Sequence, residues 1–270
     1  MDQGTGYVNA AGAKALLDAG TSPIADSGPA KKKVSQNVQQ GAGIQPIESS
    51  NFSTHLADLR PAERSEFYYT VKKNTAAVRV TLSNIQRQLP PSQQNALFGD
   101  DLLFAVHSAK TSSIGDGDYL AFAFVAADQQ FVFNQPETGL MRVTVLGDWT
   151  NAGRISTDLR IEEVVAPLPK KTFKGSIAEG ETKTHTVNIP VGTSSATFRL
   201  SWDGDWSSYP TNDLDLILRS PGGVLNFNGA TLDSPETVTI ANPQSGTWTI
   251  FVDGFTVFGG SDKYEVRVDY

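Results

Sequence analysis

Cysteine is absent from this 270-residue sequence. Its absence excludes disulfide bonds, zinc sites built on thiolates and cysteine nucleophiles, and it leaves the cellular compartment open. Long apolar runs are also missing. No segment approaches the roughly 20 residues that a membrane-spanning helix needs, so we expect no integral membrane protein.

Positive charge is scarce. The chain has 22 Lys and Arg against 29 Asp and Glu, a formal net charge of -7 and a pI near 5.0. Because phosphate neutralisation requires clustered Lys and Arg, this balance argues against a nucleic-acid partner. The one basic run, Lys31 to Lys33, is typical of a solvated linker.

The N-terminus lacks the basic start and apolar core of a signal peptide, so we expect either an intracellular chain or a piece of a longer, secreted protein. Residues 1–20 predict a short helix, with Asn9 as N-cap and Gly20 at its end. Residues 21–57 are rich in Ser, Gln, Gly, Pro and Lys without a sustained period, which predicts a flexible linker.

Short β-rich segments fill the rest of the chain. "SEFYYTV", "AAVRVTLSN", "DLLFAVHS", "YLAFAFVA" and "GLMRVTVLG" are separated by Gly, Asn, Asp and Pro, a pattern typical of an antiparallel all-β domain. A similar series follows after a break at "EEVVAPLPKKTF": "THTVNIP", "ATFRLSWD", "DLDLILRS", "ETVTIA" and "GTWTIFVDG".

The two series correspond in order and spacing. "AAVRVTLS" from Ala76 aligns with "ATFRLSW" from Ala196, "DDLLFAVHS" from Asp100 with "NDLDLILRS" from Asn212, and "PETGLMRVTVLGDW" from Pro136 with "PQSGTWTIFVDGFT" from Pro243. Three matches in register indicate duplication. We therefore predict two tandem antiparallel, jelly-roll-like β-sandwiches, over residues 58–166 and 167–270.

The segment that begins at Pro243 predicts a core strand. Pro243 and Gly246 form a turn, after which Trp248, Ile250 and Val252 share one face of an extended chain. We expect this apolar row to lie inside the second sandwich.

Two carboxylates share the opposite face of the segment that follows Asn212. In extended chain Leu214, Leu216 and Leu218 point to one side and Asp213 and Asp215 to the other. Neighbouring like charges repel, so solvent, a basic partner such as Arg219 or Lys263, or a cation must offset the cost. The third possibility predicts a calcium site, since hard cations take several oxygen ligands; its candidate ligands are Asp213, Asp215, Asp203, Asp205 and Asn212.

Aromatic residues in the predicted loops of the second sandwich offer an alternative binding site. Exposed rings can stack on sugars or pack against a fibrous protein, although the same rings can close the ends of a sandwich. The candidate contact residues are Trp206, Tyr209, Phe255 and Phe258.

The second repeat resembles the bacterial pre-peptidase C-terminal domain, a small sandwich appended to secreted proteases. Its "D-L-D-L-x-L-x-x-P-x-G" run is matched from Asp213 to Gly223, and its "G-T-W-x-I-x-V" strand from Gly246 to Val252. The resemblance covers residues 170–270 and extends more loosely over residues 61–165.

The N-terminus is similar to the end of a subtilisin-like catalytic domain, where a "G-x-G-x-V-N/D-A" turn leads into a closing helix. Gly4, Gly6, Val8, Asn9 and Ala10 match that turn. Together the resemblances imply a non-catalytic accessory module of a secreted subtilisin-like protease, with that protease's catalytic domain as a partner and protein or polysaccharide as a further ligand.

We expect no catalysis by this chain itself. A serine triad needs a nucleophile, an imidazole within reach and an orienting carboxylate. The "GTS" triplets that end at Ser22 and Ser194 continue as "PIAD" and "SATF", unlike the family's "M-A-x-P" continuation, and no "H-E-x-x-H" zinc motif is present.

Overall fold

The computed structural model describes residues 45–94, 99–109, 119–207 and 210–270. The helix predicted for residues 1–20 and most of the predicted linker lie outside these ranges. Within them the chain is almost entirely β-structure, with one short 3₁₀ turn at Pro91–Gln93, which confirms the all-β class. No helix of the described ranges has the length and apolar character required to span a bilayer.

Eight strands form a first sandwich. One sheet has the order β1-β8-β3-β6 and the other the order β2-β7-β4-β5, and all strand pairs within them are antiparallel. The strands are β1 (Asn51–Leu59), β2 (Arg64–Val71), β3 (Thr75–Arg87), β4 (Leu102–His107), β5 (Tyr119–Val125), β6 (Gln129–Asn134), β7 (Gly139–Gly147) and β8 (Ile155–Val165).

Eight further strands form a second sandwich with sheets β10-β15-β12-β13 and β14-β11-β16-β9. They are β9 (Lys171–Ile177), β10 (Thr182–Ile189), β11 (Ser195–Trp202), β12 (Asp213–Arg219), β13 (Leu225–Gly229), β14 (Glu236–Ala241), β15 (Gly246–Thr256) and β16 (Asp262–Asp269). Adding eight to each strand number of the first sandwich reproduces the strand orders of the second. The duplicated jelly-roll architecture is thus present in the strand connectivity.

Each sandwich closes around its own apolar core. In the second, Leu214, Leu216 and Leu218 are fully buried, as the alternation of β12 predicts, and Trp248, Ile250 and Val252 complete the facing strand. In the first, the equivalent strands contribute Leu102, Phe104 and Val106, followed by Met141, Val143 and Val145. The predicted core strand is therefore confirmed.

The predicted linker ends too late. Strand β1 already begins at Asn51 and pairs with β8 along its length, and Ile47 forms an isolated bridge with Tyr69. The segment 51–57 is mostly polar because β1 lies at the edge of its sheet, where Leu56 and Leu59 are the two buried residues of the strand. The first sandwich thus starts before residue 58, and residues 51–57 are a correction to the predicted linker.

Polar contacts connect the two sandwiches. The amide of Thr138 donates to the carbonyl of Ser234 over 2.9 Å, and the amide of Ser234 donates to Glu137 Oε2 over 2.7 Å. Lys73 Nζ lies 2.7 Å from Asp203 Oδ1. The residues of each buried apolar cluster all come from one sandwich.

Because the cores are separate, a core truncation should destabilise mainly its own sandwich. Leu82→Ala should lower the unfolding free energy of the first sandwich by about 2–5 kcal/mol, and Leu216→Ala should lower that of the second by a similar amount. Calorimetry and urea unfolding measure both transitions, with Leu168→Ala, at a residue that is 94% exposed, as a control that leaves them unchanged. If the chain unfolded in a single transition that both core variants shifted equally, the two cores would not be independent.

Candidate functional site

Exposed aromatic side chains cover the outer side of the β2-β7-β4-β5 sheet at its β5 edge. Ala121 and Ala123 of β5 pack against the core, so the alternation of the strand turns Phe122 and Phe124 outward. Phe122 is 55% exposed, Phe124 53% and Tyr119 44%. We call the surface formed by Tyr119, Phe122 and Phe124 the aromatic face.

The three rings contact one another edge to face. The centroids of Tyr119 and Phe122 are 6.1 Å apart with planes at 85°, and those of Phe122 and Phe124 are 5.9 Å apart at 88°. This geometry is favourable for aromatic pairs and holds the rings in a row. The row is therefore a continuous apolar surface open to solvent.

Polar atoms lie along the row of residues that crosses the sheet from Phe122. Phe122 pairs with Ala105, Ala105 with Thr144, and Thr144 with Glu66. Thr144 Oγ1 is buried and has no hydrogen-bond partner within the described ranges. Glu66 is paired through both oxygens: Oε1 lies 3.5 Å from Arg64 Nε, and Tyr68 donates to Oε2 over 3.1 Å. The small Ala105 thus separates the ring of Phe122 from a buried hydroxyl and a carboxylate.

His107 and Arg142 lie on the neighbouring cross-strand row, which begins at Tyr119. His107 pairs with Tyr119 in the ladder, and its ring centroid is 4.2 Å from that of Tyr119. Arg142 Nη2 is 3.2 Å from His107 Nδ1, and Arg142 pairs with Tyr68 on the other side. The aromatic face is therefore bordered by a hydroxyl, a carboxylate, an imidazole and a guanidinium.

Sequence reasoning missed this site, although it identified "YLAFAFVA" as a strand. The available signal was the alternation of Phe with Ala, because small residues facing the core and large rings facing outward reverse the usual pattern of a half-buried strand.

The aromatic residues predicted from the loops have different surroundings. Trp206 is half-buried, and its Nε1 donates to the carbonyl of Leu232 over 3.2 Å. Phe255 and Phe258, at the end of β15 and in the following turn, are 64% and 51% exposed. Tyr209 lies outside the described residues.

The residues predicted to bind calcium do not all face one point. Asp203 pairs with Lys73 across the junction, and Asp205 accepts the amide of Ser207 over 3.0 Å. Both polar atoms of the Asn212 side chain are hydrogen-bonded. Nδ2 donates to Asp262 Oδ2 over 2.7 Å, and Oδ1 accepts a hydrogen bond from the backbone amide of Phe258 over 2.8 Å.

Asp213 and Asp215 lie on the outer side of the β10-β15-β12-β13 sheet, where Asp215 is directly opposite Asp253. The suggested basic partner Arg219 is engaged elsewhere, since it donates to Thr249 Oγ1 over 3.3 Å and lies over the ring of Phe251. Asp253 is thus a member of the carboxylate group that sequence reasoning did not identify.

Burial and mutual repulsion disfavour the charged form of these acids. Burial, Asp213 and Asp253 together raise the pKa of Asp215 to about 6. Burial also raises the pKa of Glu236 to about 7, although hydrogen bonds from Thr231 oppose the change. No three acidic or histidine side chains in the described part of the chain are grouped so as to hold a metal ion.

The first sandwich provides an internal comparison for the carboxylates. Leu103 and Leu146 occupy the cross-strand positions that Asp215 and Asp253 occupy in the second. The alignment that places Leu103 at the position of Asp215 is therefore consistent with the strand register. The outward pair is apolar in the first sandwich and acidic in the second, whereas the inward rows are apolar in both.

His55 and His185, like His107, have identifiable contacts. His55 Nδ1 is 2.6 Å from Asp158 Oδ1 on the exposed side of β1, and this hydrogen bond lowers the pKa of Asp158. His185 lies 2.9 Å from the hydroxyl of Tyr264, and burial lowers its pKa. Ser22 lies outside the described residues.

No protein-family model matches this sequence, and neither does any curated protein. Among solved structures the chain is similar to PNGase F, a glycosylasparaginase from Flavobacterium meningosepticum, at 10% identity over 82% of this chain and 96% of that one, with a TM-score of 0.29.

A tandem CBM22 domain of Paenibacillus barcinonensis Xyn10C has 13% identity over 82% of this chain and 91% of that one, with a TM-score of 0.26. Tripeptidyl peptidase 2 has 9% identity over 83% of this chain and 24% of that one, with a TM-score of 0.29. Likenesses this distant carry no argument about function.

The raised pKa of Asp215 predicts a pH-dependent stability. Because the folded state binds a proton that the unfolded state releases above pH 4, unfolding free energy should fall as pH rises from about 4 to 6 and stay lower above that range. At pH 7.5, Asp215→Asn should stabilise the second sandwich by roughly 1 kcal/mol, a value reduced for solvent screening.

Urea unfolding of wild type and variant at pH 5 and pH 7.5 measures this difference. Asp269→Asn, which makes the same charge change on the other sheet, serves as the control. A variant as pH-sensitive as wild type would show that Asp215 is well solvated. A variant that is less stable than wild type at pH 7.5 would show that the charged carboxylate has a favourable partner in the folded state.

Proposed function

We propose that this chain is a non-catalytic binding module and that its aromatic face holds a polysaccharide. One observation carries the proposal: three exposed rings form a row in which each contacts the next, and polar side chains border that row. Exposed apolar surfaces of this kind, rimmed by polar groups, are typical of binding sites.

The chemistry of the face fits a sugar. A pyranose ring presents an apolar C–H side, which stacks on an aromatic ring, and hydroxyl groups around its edge. The half-buried side chains of Tyr68, His107 and Arg142 border the rings and can exchange hydrogen bonds with such hydroxyls. The four strands from β5 to β2, spaced by about 4.8 Å, provide a surface wide enough for more than one sugar.

The wider setting that we propose is a secreted subtilisin-like protease. It is supported by the "D-L-D-L" run of β12, by the "G-T-W" start of β15 and by the subtilisin-like turn around Gly6. In such a protein the two sandwiches would accompany the catalytic domain and hold it near a polymeric substrate or stabilise its fold.

Removal of one central ring should weaken polysaccharide binding. Phe122→Ala is expected to raise the Kd for a bound polysaccharide about tenfold, because it removes a stacking surface worth about 1.4 kcal/mol and interrupts the row. A panel of soluble and insoluble polysaccharides, tested by affinity electrophoresis, pull-down and calorimetry, identifies the ligand and measures the change.

Phe255→Ala is the matched control, since it removes an exposed ring of the same type from the other candidate surface. Loss of binding in Phe255→Ala but not in Phe122→Ala would place the ligand on the loop aromatics Trp206, Phe255 and Phe258. A wild-type protein that binds no polysaccharide, or a dimer that Phe122→Ala dissociates, would contradict the proposal.

Calcium binding by the second sandwich is a second proposal, favoured by the carboxylates of Asp215 and Asp253 directly opposite each other. Like charges at such positions destabilise a sheet, and a cation shared between them would reverse this effect. Asp213 lies at the same end of the strand. The remaining ligands would be water or backbone oxygens, as calcium accepts.

Saturating calcium should then raise the melting temperature of the second sandwich and leave that of the first unchanged, because Leu103 and Leu146 replace the acidic pair there. Asp253→Asn should abolish the rise. Calorimetry of the whole chain in CaCl2, MgCl2 and EDTA measures it, and identical second transitions in calcium and EDTA would refute the site.

A further inference from the structure

A buried glutamate occupies a core position at the start of β14. Glu236 is 1% exposed and shares its side of the strand with Val238, which belongs to the apolar core. The residue directly opposite Glu236 on β11 is Leu200, which is also fully buried. A carboxyl group in such surroundings is costly to the fold when it is ionised.

The repeats can be aligned at this position through an arginine on the neighbouring strand. Arg79 of β3 corresponds to Arg199 of β11 in the alignment that begins at Ala76 and Ala196. Arg79 is directly opposite Glu162 of β8, and Arg199 is directly opposite Arg267 of β16. The two strands are therefore in equivalent register with their neighbours.

The first sandwich has an apolar residue where the second has Glu236. Val80 and Leu200 follow the two arginines, and they lie opposite Phe131 of β6 and Glu236 of β14. Phe131 packs against the core of the first sandwich and stacks on Phe104, with ring centroids 4.3 Å apart. The sandwich architecture therefore does not itself require an acid at this position.

Glu236 holds the loop that precedes its strand. We call residues 230–235, between β13 and β14, the junction loop. The amide of Thr231 donates to Glu236 Oε1 over 2.9 Å, and its hydroxyl donates to the same oxygen over 2.7 Å. The hydroxyl also accepts the amide of Asp233 over 3.1 Å. The carboxyl oxygen thus orders the first half of the loop.

The second half of the junction loop contacts the first sandwich. Ser234 is 1% exposed, and its carbonyl accepts the amide of Thr138 while its amide donates to Glu137. Both of those partners lie between β6 and β7. The loop therefore connects the buried carboxyl of Glu236 to the first sandwich.

The charged groups around Glu236 disfavour its ionisation. Asp233 of the junction loop and Asp215 of β12 both repel a negative charge on it, and Glu137 of the first sandwich is a further acid in contact with the loop. Burial is the largest effect. Together burial and repulsion raise the pKa of Glu236 to about 7, although the two hydrogen bonds from Thr231 oppose the change.

The raised pKa fixes the direction in which pH acts on the loop. The closed loop keeps a proton on Glu236 that a solvated glutamate releases above about pH 4.5, so closure should weaken as pH rises from about 4.5 to 7 and then stay constant. Opening of the loop returns the ionised carboxylate to water.

We propose that Glu236 and the junction loop form a pH-sensitive latch between the two sandwiches. At acidic pH the neutral carboxyl keeps the loop closed on the first sandwich. At neutral and higher pH the ionised carboxylate favours an open loop, in which the contacts of Ser234 with Thr138 and Glu137 are broken. The proposal does not depend on polysaccharide binding at the aromatic face.

Amide hydrogen exchange of the whole chain, followed by NMR from pH 5.5 to pH 7.5, tests the latch. The amide of Thr138 belongs to the first sandwich and donates to the junction loop, so its exchange measures loop opening. After correction for the intrinsic pH dependence of exchange, its protection should fall by about tenfold over this range.

Glu236→Gln separates the latch from other effects of pH. The variant keeps the shape of the side chain and the oxygen that accepts from Thr231, but it cannot ionise, so the protection of Thr138 should stay constant from pH 5.5 to pH 7.5. Asp233→Asn makes the same charge change at an exposed residue of the same loop and should retain most of the fall.

A carbon-13 NMR titration of the Glu236 carboxyl in the wild-type chain should give a midpoint near pH 7. A midpoint near 4.5 would show that the carboxyl is solvated and would overturn the proposal. Protection of Thr138 that is constant in wild type, or that falls equally in Glu236→Gln, would overturn it as well. Because the titration and the wild-type exchange use the unmodified chain, they decide the proposal even if Glu236→Gln does not fold.

Discussion

Burial of every second side chain is the constraint on which this structure depends. Each sandwich is closed by inward apolar rows, such as Leu214, Leu216 and Leu218 facing Ile250 and Val252. An extended strand points its alternate residues to opposite sides, so a row that must be apolar leaves the intervening row unconstrained by the core. The two sandwiches therefore share strand order and register while their outer surfaces differ.

The differences fall at equivalent outward positions. Leu103 and Leu146 in the first sandwich become Asp215 and Asp253 in the second, and the arginine that faces an acid in the first faces Arg267 in the second. The first sandwich instead has exposed rings on β5. The repulsion between Asp215 and Asp253 is unfavourable in an isolated domain and is relieved if a cation contacts both carboxylates. The exposed rings are explained if a ligand covers them.

Much of the fold could be predicted from the sequence, because apolar alternation is local. It located β4, β7, β12 and β15 and the break between the repeats. The same pattern did not predict β1, an edge strand with few buried residues. It also did not predict that Asp253 lies opposite Asp215 or that Arg267 lies opposite Arg199. Those pairs depend on the register between strands that are distant in sequence, and no local pattern predicts that register. The aromatic face depends on which side of β5 packs against the core.

Chemical-shift mapping by NMR with a bound oligosaccharide tests most directly whether the aromatic face is a binding surface. We predict that the perturbed signals come from β2, β4, β5 and β7 and that those of the Tyr119, Phe122 and Phe124 rings change most. Signals that change instead around Phe255 and Phe258, or spread through the buried core, would contradict it.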